Sequence, residues 1–392
     1  MKTSSSREIA IPTYIPPKTL VLNSISDSTL NKILMFALDL KCRDIYFCSD
    51  EYVRARIGLN YFRLTDRPLT HAEVNKLLIT LNKGNQLTRL FSGKSINNAY
   101  HMTLPSNANE TRSFRFSITR HTLPHLSDAF QVAIRPAPAE VPTVDFVGLD
   151  KSFINHVDNM RQGLILMIAG TGEGKTSTIA ALIRYMLEKP SNLRIVEYSR
   201  PVEYEIKRKI QMHPSNDIIQ HNVSEGLSGG DLFSYEEAIA TSMRQAADWY
   251  AIGEMTDTES FKAALELSNT GHIVSSTVHA NRISSGYSRV IGMFDLRERE
   301  QYMNLMINES EILSSQRLVE RNGGGLVAIR EYLVHTPEVR DYLKQSTTIK
   351  DLGERAQTML EEHQSDFCSN AKRALMSGLI TQETYSDFVR AL

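Results

Sequence analysis

Apolar residues follow a regular spacing only after about residue 26. Residues 1–25 contain three consecutive serines and several prolines, so they predict a loose N-terminal arm. Beyond them, apolar residues recur at helical spacing, at Leu30, Ile33, Leu34, Phe36, Ala37 and Leu40. The stretches DIYFC and ARIGLNYFRL then read as β-strands. Residues 26–134 therefore predict an α+β domain.

The second part of the chain alternates apolar strands with amphipathic helices. Three prolines fall within seven residues of the segment 135–146, which predicts a domain linker. Beyond it the strands LILMIA, LRIVEY, WYAI and IVSSTV are separated by helical patterns. Such alternation predicts an α/β domain over residues 147–346, with a parallel sheet covered by helices. Residues 347–392 predict a helical tail broken near Gly378.

Composition narrows the class of protein. A chain of 392 residues exceeds one ordinary hydrophobic core, which agrees with two domains. The formal net charge is -1, so no global basic field favours nucleic acid. Three cysteines without metal-ligand spacing are typical of structural thiols in a reducing compartment. No secretory signal and no apolar run of the ~18 residues that a membrane helix requires is visible, so we expect a cytoplasmic protein.

The sequence LILMIAGTGEGKT at 164–176 carries the first candidate chemistry. An apolar strand runs into a glycine-rich turn and then a helix, as in the pattern GxxxxGK(S/T), with Ala169 in place of the first glycine. Backbone N–H groups of such a turn face phosphate oxygens. We expect Lys175 to neutralise the β and γ phosphates of a bound nucleotide and Thr176 to ligate Mg²⁺. The expected nucleotide-binding residues are Gly170, Thr171, Gly172, Glu173, Gly174, Lys175, Thr176 and Ser177.

Four further segments narrow the reaction, because kinases and GTPases share the same loop. They are RPVEY at 200–204, RQAADWYAIGEMTD at 244–257, TGHIVSSTVHAN at 270–281 and SQRLVE at 315–320. In this order they resemble the PilT/GspE family of secretion ATPases, and VAIREYLVHTPEVRDYL resembles its DotB/TraJ branch of type IVB secretion and IncI-type conjugation. The resemblance implies a RecA-like ATPase domain preceded by a PAS-like domain. It also implies a ring of six copies with nucleotide held between neighbours.

The same resemblance implies roles for two carboxylates. IGE at 252–254 matches the family's Walker B segment, which gives Glu254 a role beside Mg²⁺. RPVEY resembles the acidic box, which gives Glu203 the role of activating water, although Ser199 and Arg200 replace its acidic pair. The two glutamates could share or exchange these duties, and a surface glutamate without a role is the alternative. Thr256 stands where the family commonly has arginine.

Histidines and arginines complete the expected site. TGH and TVHAN resemble the family's histidine box, which places His272 and His279 near the γ-phosphate. TRSFRFSITR and AIR resemble segments that supply arginines to a neighbour's nucleotide, which identifies Arg115, Arg120 and Arg135. Each histidine has a structural alternative, and each arginine could instead pair with a surface carboxylate.

The expected function is therefore an ATP-driven homo-hexamer at the cytoplasmic face of a secretion, conjugation or pilus apparatus. Contact with the inner membrane is expected to be peripheral and through partner proteins, without direct nucleic-acid binding. Two alternatives stay open. One is an ATP-binding ring scaffold with weak hydrolysis, because the acidic box is altered. The other is a DNA-translocating motor, because the resemblance includes conjugation proteins.

Overall fold

A computed structural model describes residues 19–22, 27–57, 60–82, 87–104, 107–124, 126–223 and 231–392. The chain divides into two compact units, the first ending at Ala137 and the second spanning Pro138–Leu392. None of the helices in the described part is long and apolar enough to cross a membrane.

The first unit is a six-stranded antiparallel sheet with helices. Its helices are α1 (Asp27–Asp39), α2 (His71–Asn82) and α3 (Leu87–Phe91). Its strands are β1 (Asp44–Cys48), β2 (Tyr52–Ile57), β3 (Asn60–Pro68), β4 (Ile96–Leu104), β5 (Asn107–Leu123) and β6 (Leu126–Pro136). The order across the sheet is β3-β2-β1-β6-β5-β4. The stretch ARIGLNYFRL thus belongs to two strands, β2 and β3, that pair with each other.

The helical spacing of apolar residues in α1 places them on one face, which packs on the core of the first unit. Leu30, Ile33, Leu34 and Ala37 of α1 are fully buried against the sheet. Residues 19–22 of the expected loose arm also contact this unit, because the N–H of Leu20 bonds to the Leu64 carbonyl and Leu22 is buried. The expectation of a loose arm is therefore wrong for residues 19–22, and its other residues lie outside the described ranges.

The boundary between the units lies within the proline-rich segment. Strand β6 runs through Pro136, so the first two residues of the expected linker belong to the sheet. Val141 is buried in the core of the second unit, and its carbonyl accepts a hydrogen bond from Arg184 at 2.5 Å. Only a short stretch after Ala137 therefore connects the two folded units.

The second unit is built on a seven-stranded sheet. Its strands are β7 (Gly163–Ile168), β8 (Arg194–Ser199), β9 (Asp217–Asn222), β10 (Trp249–Ile252), β11 (Ile273–Val278), β12 (Ser310–Glu320) and β13 (Leu326–Val334). They lie in the order β13-β12-β7-β11-β10-β8-β9, and all neighbours are parallel except the β12–β13 hairpin. Every residue of β7, β10 and β11 is buried, which explains their continuous apolar runs.

Helices cover both faces of this sheet. They are α4 (Lys151–Asn159), α5 (Lys175–Glu188), α6 (Ile206–Lys209), α7 (Tyr235–Ser242), α8 (Thr258–Asn269), α9 (Ile283–Ile291), α10 (Arg299–Glu309) and α11 (Pro337–Leu343). Helices α4 and α5 pack on one face, and α8, α9 and α10 pack on the other. This layered arrangement confirms the expected α/β fold class.

The helical C-terminal region consists of α12 (Ile349–Glu362), α13 (Phe367–Met376) and α14 (Gln382–Arg390). Leu352, Ala356 and Leu360 of α12 are buried in the same core as α8 and α9. Helices α13 and α14 form a smaller core with Ile329 of β13. Gly378, with φ +72°, separates α13 from α14 at the expected break. All three helices thus contribute buried residues to the second unit.

Candidate nucleotide site at the carboxyl edge of the sheet

The residues expected to carry chemistry follow neighbouring strands at one edge of the second sheet. The glycine-rich loop follows β7, His279 follows β11, Glu254 follows β10 and Ser199 ends β8. These four strands are adjacent in the order β7-β11-β10-β8 and are parallel. Ligands of parallel sheets bind beyond the carboxyl ends of the strands, and this edge is therefore the candidate site.

The glycine-rich loop has the backbone geometry that phosphate binding needs. Gly172 and Gly174 both have φ +82°, in the left-handed region that favours glycine. Gly174 is the residue before α5, so the N-terminus of that helix opens directly into the loop. The Ser177 hydroxyl in the first turn of α5 lies 2.7 Å from the Tyr204 hydroxyl. The loop thus presents backbone N–H groups and a helix N-terminus, which together favour an anion.

Lys175 is buried at the centre of the candidate site, with 7% of its surface exposed. Its Nζ donates to the carbonyls of Ala169 at 2.7 Å and Gly170 at 2.9 Å, and it lies 3.2 Å from His279 Nδ1. Burial lowers the pKa of Lys175, while the charges of Glu254, Glu173 and Glu203 oppose this shift. The ammonium group is therefore held by two backbone carbonyls and lies within the electrostatic influence of three carboxylates.

His279 connects Lys175 to Glu254. Its Nε2 lies 3.1 Å from Glu254 Oε1, while its Nδ1 faces the Lys175 ammonium group. A ring nitrogen that faces an ammonium group must accept, so this network assigns the proton of His279 to Nε2. The sequence expectation that His279 and Glu254 lie near Lys175 therefore agrees with the observed distances.

The structure adds a carboxylate that the sequence reasoning missed. Glu197 of β8 is 8% exposed, and its two oxygens accept from Ser199 Oγ and Gln220 Nε2, each at 2.6 Å. Burial raises the pKa of Glu197. Glu197 borders a small cavity that Thr176 and Gly253 also line. Glu197 lies two residues before Ser199, and residues two apart in a strand share one face. This spacing is the sequence feature that could have placed Glu197 near the candidate site.

His272 is not brought to this site. It precedes β11 at the amino end of the strand, whereas His279 follows the carboxyl end, about 20 Å away for a six-residue strand. Its Nδ1 lies 3.1 Å from both the Leu267 carbonyl and the Thr270 hydroxyl. From this position His272 cannot contact a phosphate bound at the loop of its own chain, and its contacts are those of a structural histidine.

The three expected arginines all belong to the first unit. Arg115 of β5 lies directly opposite Arg135 of β6, so both point to one face of that sheet. Arg120 is five residues further along β5 and therefore points to the other face. Arg120 lies 3.6 Å from Asp128, and Arg135 bonds to Asp44 at 2.6 Å and 2.7 Å. The fold thus groups Arg115 with Arg135 and separates Arg120 from both.

The oxygen ligands at the candidate site fit a nucleotide-bound magnesium ion. Thr176 supplies a hydroxyl at the start of α5, and Glu254 supplies a carboxylate at the end of β10. Magnesium usually binds one or two protein oxygens together with substrate phosphates and water. Within the described ranges, no cluster of three or more His, Cys, Asp or Glu side chains is placed to hold a metal by itself. Phosphate oxygens would have to complete the coordination.

A parallel sheet with covered faces, a glycine-rich loop leading into α5, and Lys175 beside strand-end carboxylates define the class of protein. It is a P-loop ATPase. The profile of the family described as "Type II/IV secretion system protein" matches residues 94–385. The chain belongs to this family of secretion and pilus ATPases.

Individual relatives support the same assignment. The chain is 24% identical over 316 residues to the type IV pilus retractation ATPase PilT of Pseudomonas aeruginosa, covering 81% of this chain and 85% of PilT. It is 29% identical over 215 residues to the type IV pilus ATPase PilU of the same organism, covering 55% of this chain and 53% of PilU. Similarity to this family thus extends well beyond the phosphate loop.

Two solved structures share the fold. The X-ray structure of the Legionella pneumophila ATPase DotB matches with a TM-score of 0.78 and 23% identity, covering 95% of this chain and all of DotB. The crystal structure of the pilus retraction motor PilT with bound ADP matches with a TM-score of 0.74 and 24% identity, covering 91% of this chain and 95% of PilT. The expected resemblance to the PilT/GspE family is therefore confirmed.

Proposed function

We propose that this chain forms a homo-hexameric ring that hydrolyses ATP to drive a type IV secretion, conjugation or pilus apparatus of the type IVB kind. The observation that carries the proposal is the connected chain of Lys175, His279 and Glu254 beside the glycine-rich loop. It joins the group that would bind the γ-phosphate to the group that would hold the metal ion. Nucleotide binding is thereby linked to the position of Glu254, the proposed metal-binding carboxylate.

Lys175 and the loop would bind the phosphates, and Thr176 and Glu254 would hold Mg²⁺. Bound Mg²⁺ neutralises charge that develops on the transferred phosphoryl group. The Lys175 ammonium group would exchange its bonds with the Ala169 and Gly170 carbonyls for phosphate oxygens. This exchange conserves the number of hydrogen bonds while it replaces neutral acceptors with charged ones, which are stronger.

Glu203 is the proposed carboxylate that orients the attacking water and accepts its proton. The support is electrostatic, because its charge acts on Lys175 and on Glu197. It follows β8 at the same edge of the sheet.

His279 would report the presence of the γ-phosphate. A phosphoryl group bound to Lys175 competes with His279 Nδ1 for the same ammonium group. Because the other nitrogen of the ring bonds to Glu254, loss of the Lys175 contact frees the ring to turn and to reposition that carboxylate. This gives His279 a positioning role between phosphate and Glu254.

Arg115 and Arg135 are the proposed cationic groups for a neighbouring copy's nucleotide. Guanidinium groups from a neighbour stabilise charge on the γ-phosphoryl group and couple hydrolysis to movement of that neighbour. Their position on one sheet face supports a joint action, whereas Arg120 lies on the opposite face. In this role Arg135 would exchange its bond with Asp44 for a phosphate contact.

The ring is proposed to act in the cytoplasm, at the inner face of a membrane-spanning apparatus that it reaches through partner proteins. PilT is a pilus retractation ATPase, which supports a motor role for this chain. Direct nucleic-acid binding is not expected, because the formal net charge of -1 provides no overall attraction for DNA.

Steady-state ATPase assays with three variants test the proposed hydrolysis. We expect Lys175→Ala to abolish nucleotide binding, and Glu254→Gln to keep binding while turnover falls about 10²-fold or more. Glu259→Gln is the matched control, because Glu259 is an exposed carboxylate on α8. Equal turnover in wild type and in the Lys175 and Glu254 variants would favour an ATP-binding scaffold.

Mass measurement of the particle in solution tests the ring. Six copies are expected in the presence of ATP. A monomer under all nucleotide conditions would contradict the proposed ring, and salt-dependent binding to DNA would instead favour a DNA-translocating motor.

A further inference from the structure

A buried polar network lies behind the phosphate loop and takes no part in the chemistry described above. Its central residue is Gln316 of β12, which is 1% exposed. Gln316 Nε2 donates to the Glu173 carbonyl at 2.5 Å. Gln316 Oε1 accepts from the Thr178 hydroxyl at 2.9 Å and from Arg330 Nε at 3.0 Å. One side-chain amide therefore connects the loop, helix α5 and strand β13.

Arg330 fixes the orientation of this amide. A guanidinium group has only donors, so the Gln316 atom that faces Arg330 must be the oxygen, and the NH₂ group must face the loop. Arg330 is itself 7% exposed and donates to the Gly148 carbonyl at 2.9 Å and the Thr178 hydroxyl at 3.3 Å. Burial lowers the pKa of Arg330 to about 10, which leaves it charged at neutral pH.

Strand β12 also holds the loop through one backbone hydrogen bond. The N–H of Leu318 donates to Glu173 Oε2 at 2.5 Å, so both the backbone and the side chain of Glu173 bond to this strand. A Cβ atom built on Gly174 would lie 3.1 Å from Gln316 Nε2. Gln316 thus occupies the space beside the last two loop residues before Lys175.

The Glu173–Gly174 peptide gives this contact a functional consequence. In a trans peptide the C=O and the following N–H point in opposite directions. Holding the Glu173 carbonyl against Gln316 therefore directs the Gly174 N–H away from β12. That N–H is the last donor before the N-terminus of α5, where phosphate is expected to bind.

We propose that Gln316 is a positioning residue for nucleotide binding, which holds the Glu173–Gly174 peptide with its N–H directed at phosphate, and that Arg330 and Thr178 hold Gln316 in the required orientation. This inference rests on the proposed ATPase function. It adds a contribution from β12, far from the loop in sequence, to the binding of phosphate.

The variant Gln316→Glu separates this role from a purely structural one. A carboxylate still accepts from Arg330 and Thr178, and its charge pairs with Arg330, but it cannot donate to the Glu173 carbonyl. We expect the KM for ATP and the Kd for ADP to rise about tenfold, as expected for one lost hydrogen bond to the loop and repulsion of its carbonyl. We expect kcat to change less than about threefold and the melting temperature to match that of wild type.

Two further variants complete the test. Gln316→Leu removes the donor and the acceptor, so we expect it to weaken nucleotide binding and also to lower the melting temperature, because buried Arg330 Nε loses its acceptor. Gln382→Glu in the first turn of α14 is the control, because Gln382 is exposed, its amide donates to the Ser386 hydroxyl, and a carboxylate is favourable at a helix N-terminus; it is expected to behave as wild type.

The outcomes are distinguishable. Wild-type ATP turnover with unchanged KM and Kd in Gln316→Glu would overturn the inference and leave the proposed ATPase function standing. Equal losses of affinity and of melting temperature in Gln316→Glu and Gln316→Leu would show a structural role instead. Absence of nucleotide binding in wild type would overturn both the proposed function and this inference.

Discussion

Acidification should destabilise the second unit through one histidine. His335 is fully buried after β13, with Nε2 2.8 Å from the Tyr287 hydroxyl and Nδ1 3.1 Å from the Ile307 carbonyl. Burial lowers the pKa of His335 from 6.5 to about 4. The hydrogen bond with the Ile307 carbonyl and the charge of Glu311 oppose this lowering, while Arg340 and His156 add to it. The Ile307 carbonyl must accept from Nδ1–H, so Nε2 accepts from Tyr287, and the neutral ring satisfies both contacts.

The sign and size of the effect follow from proton linkage. Between pH 4 and 6.5 the unfolded chain holds the proton on this histidine and the folded chain does not, so stability rises with pH. The full contribution is present above pH 6.5 and is lost as pH falls toward 4. From pH 8 to pH 5 the loss in free energy of unfolding is about 2 kcal/mol.

Glu331 makes the folded chain more stable as pH falls, which is the opposite of the effect of His335. Its Oε1 accepts from the Ile283 N–H at 2.8 Å, while its buried Oε2 has no hydrogen-bond partner among the described residues. Burial raises the pKa of Glu331 from 4.5 to about 7. The folded chain therefore holds more protons between these values, and stability increases by about 2.5 kcal/mol as pH falls from 8 to 5. In wild type the two contributions nearly cancel.

Urea unfolding at pH 5 and pH 8 reveals both contributions. The single tryptophan, Trp249, is buried in β10 and reports unfolding of the unit that contains both groups. Taking the free energy of unfolding at pH 8 minus that at pH 5, we expect a value about 2 kcal/mol lower than wild type for His335→Gln and about 2.5 kcal/mol higher for Glu331→Gln. His363→Gln, at an exposed position, is the control. Wild-type values in both variants would refute the reasoning.

Three further predictions concern packing, capping and the arginines. Gly286→Ala places a methyl group 2.5 Å from Ile168 Cδ1 and should destabilise the second unit by about 1–3 kcal/mol in urea unfolding; unchanged stability would contradict this close approach. Asp257→Ala removes the N-cap of α8 and should cost about 1 kcal/mol, whereas Asp257→Asn should retain most of it. Arg135→Ala should lower ATP turnover of the ring at least about tenfold, while Arg54→Ala, also at an exposed ion pair, should not; equal turnover would remove the proposed role.

Local pattern was sufficient for the phosphate loop and the elements around it. The apolar run of β7, the glycines and Lys175 are consecutive in sequence, so their spacing alone predicts strand, turn and helix. The parallel sheet followed from the same logic, because strands buried on both faces read as continuous apolar runs. The family resemblance added His279 and Glu254, which the fold places beside Lys175.

Other parts of the site depend on contacts between distant segments. Gln316 lies 143 residues from Glu173, and nothing in its local sequence pattern indicates that its amide bonds to the phosphate loop. His272 and His279 occupy similar motifs, yet they lie at opposite ends of the six-residue strand β11. Likewise, Arg115 and Arg120 are an odd number of residues apart in β5, so their side chains point to opposite faces of the sheet.

The physical reason is the range over which each effect acts. Backbone propensity, periodicity and turn chemistry act within a few residues. The sequence by itself therefore determined the phosphate loop, the succession of strands and helices along the chain, and the position of Lys175 at the start of a helix. Burial of Glu197, Gln316 and Arg330 depends on which strands become neighbours and on which polar groups meet there. Only the tertiary structure decides that, because a buried polar group is stable only where its partners lie within hydrogen-bond distance.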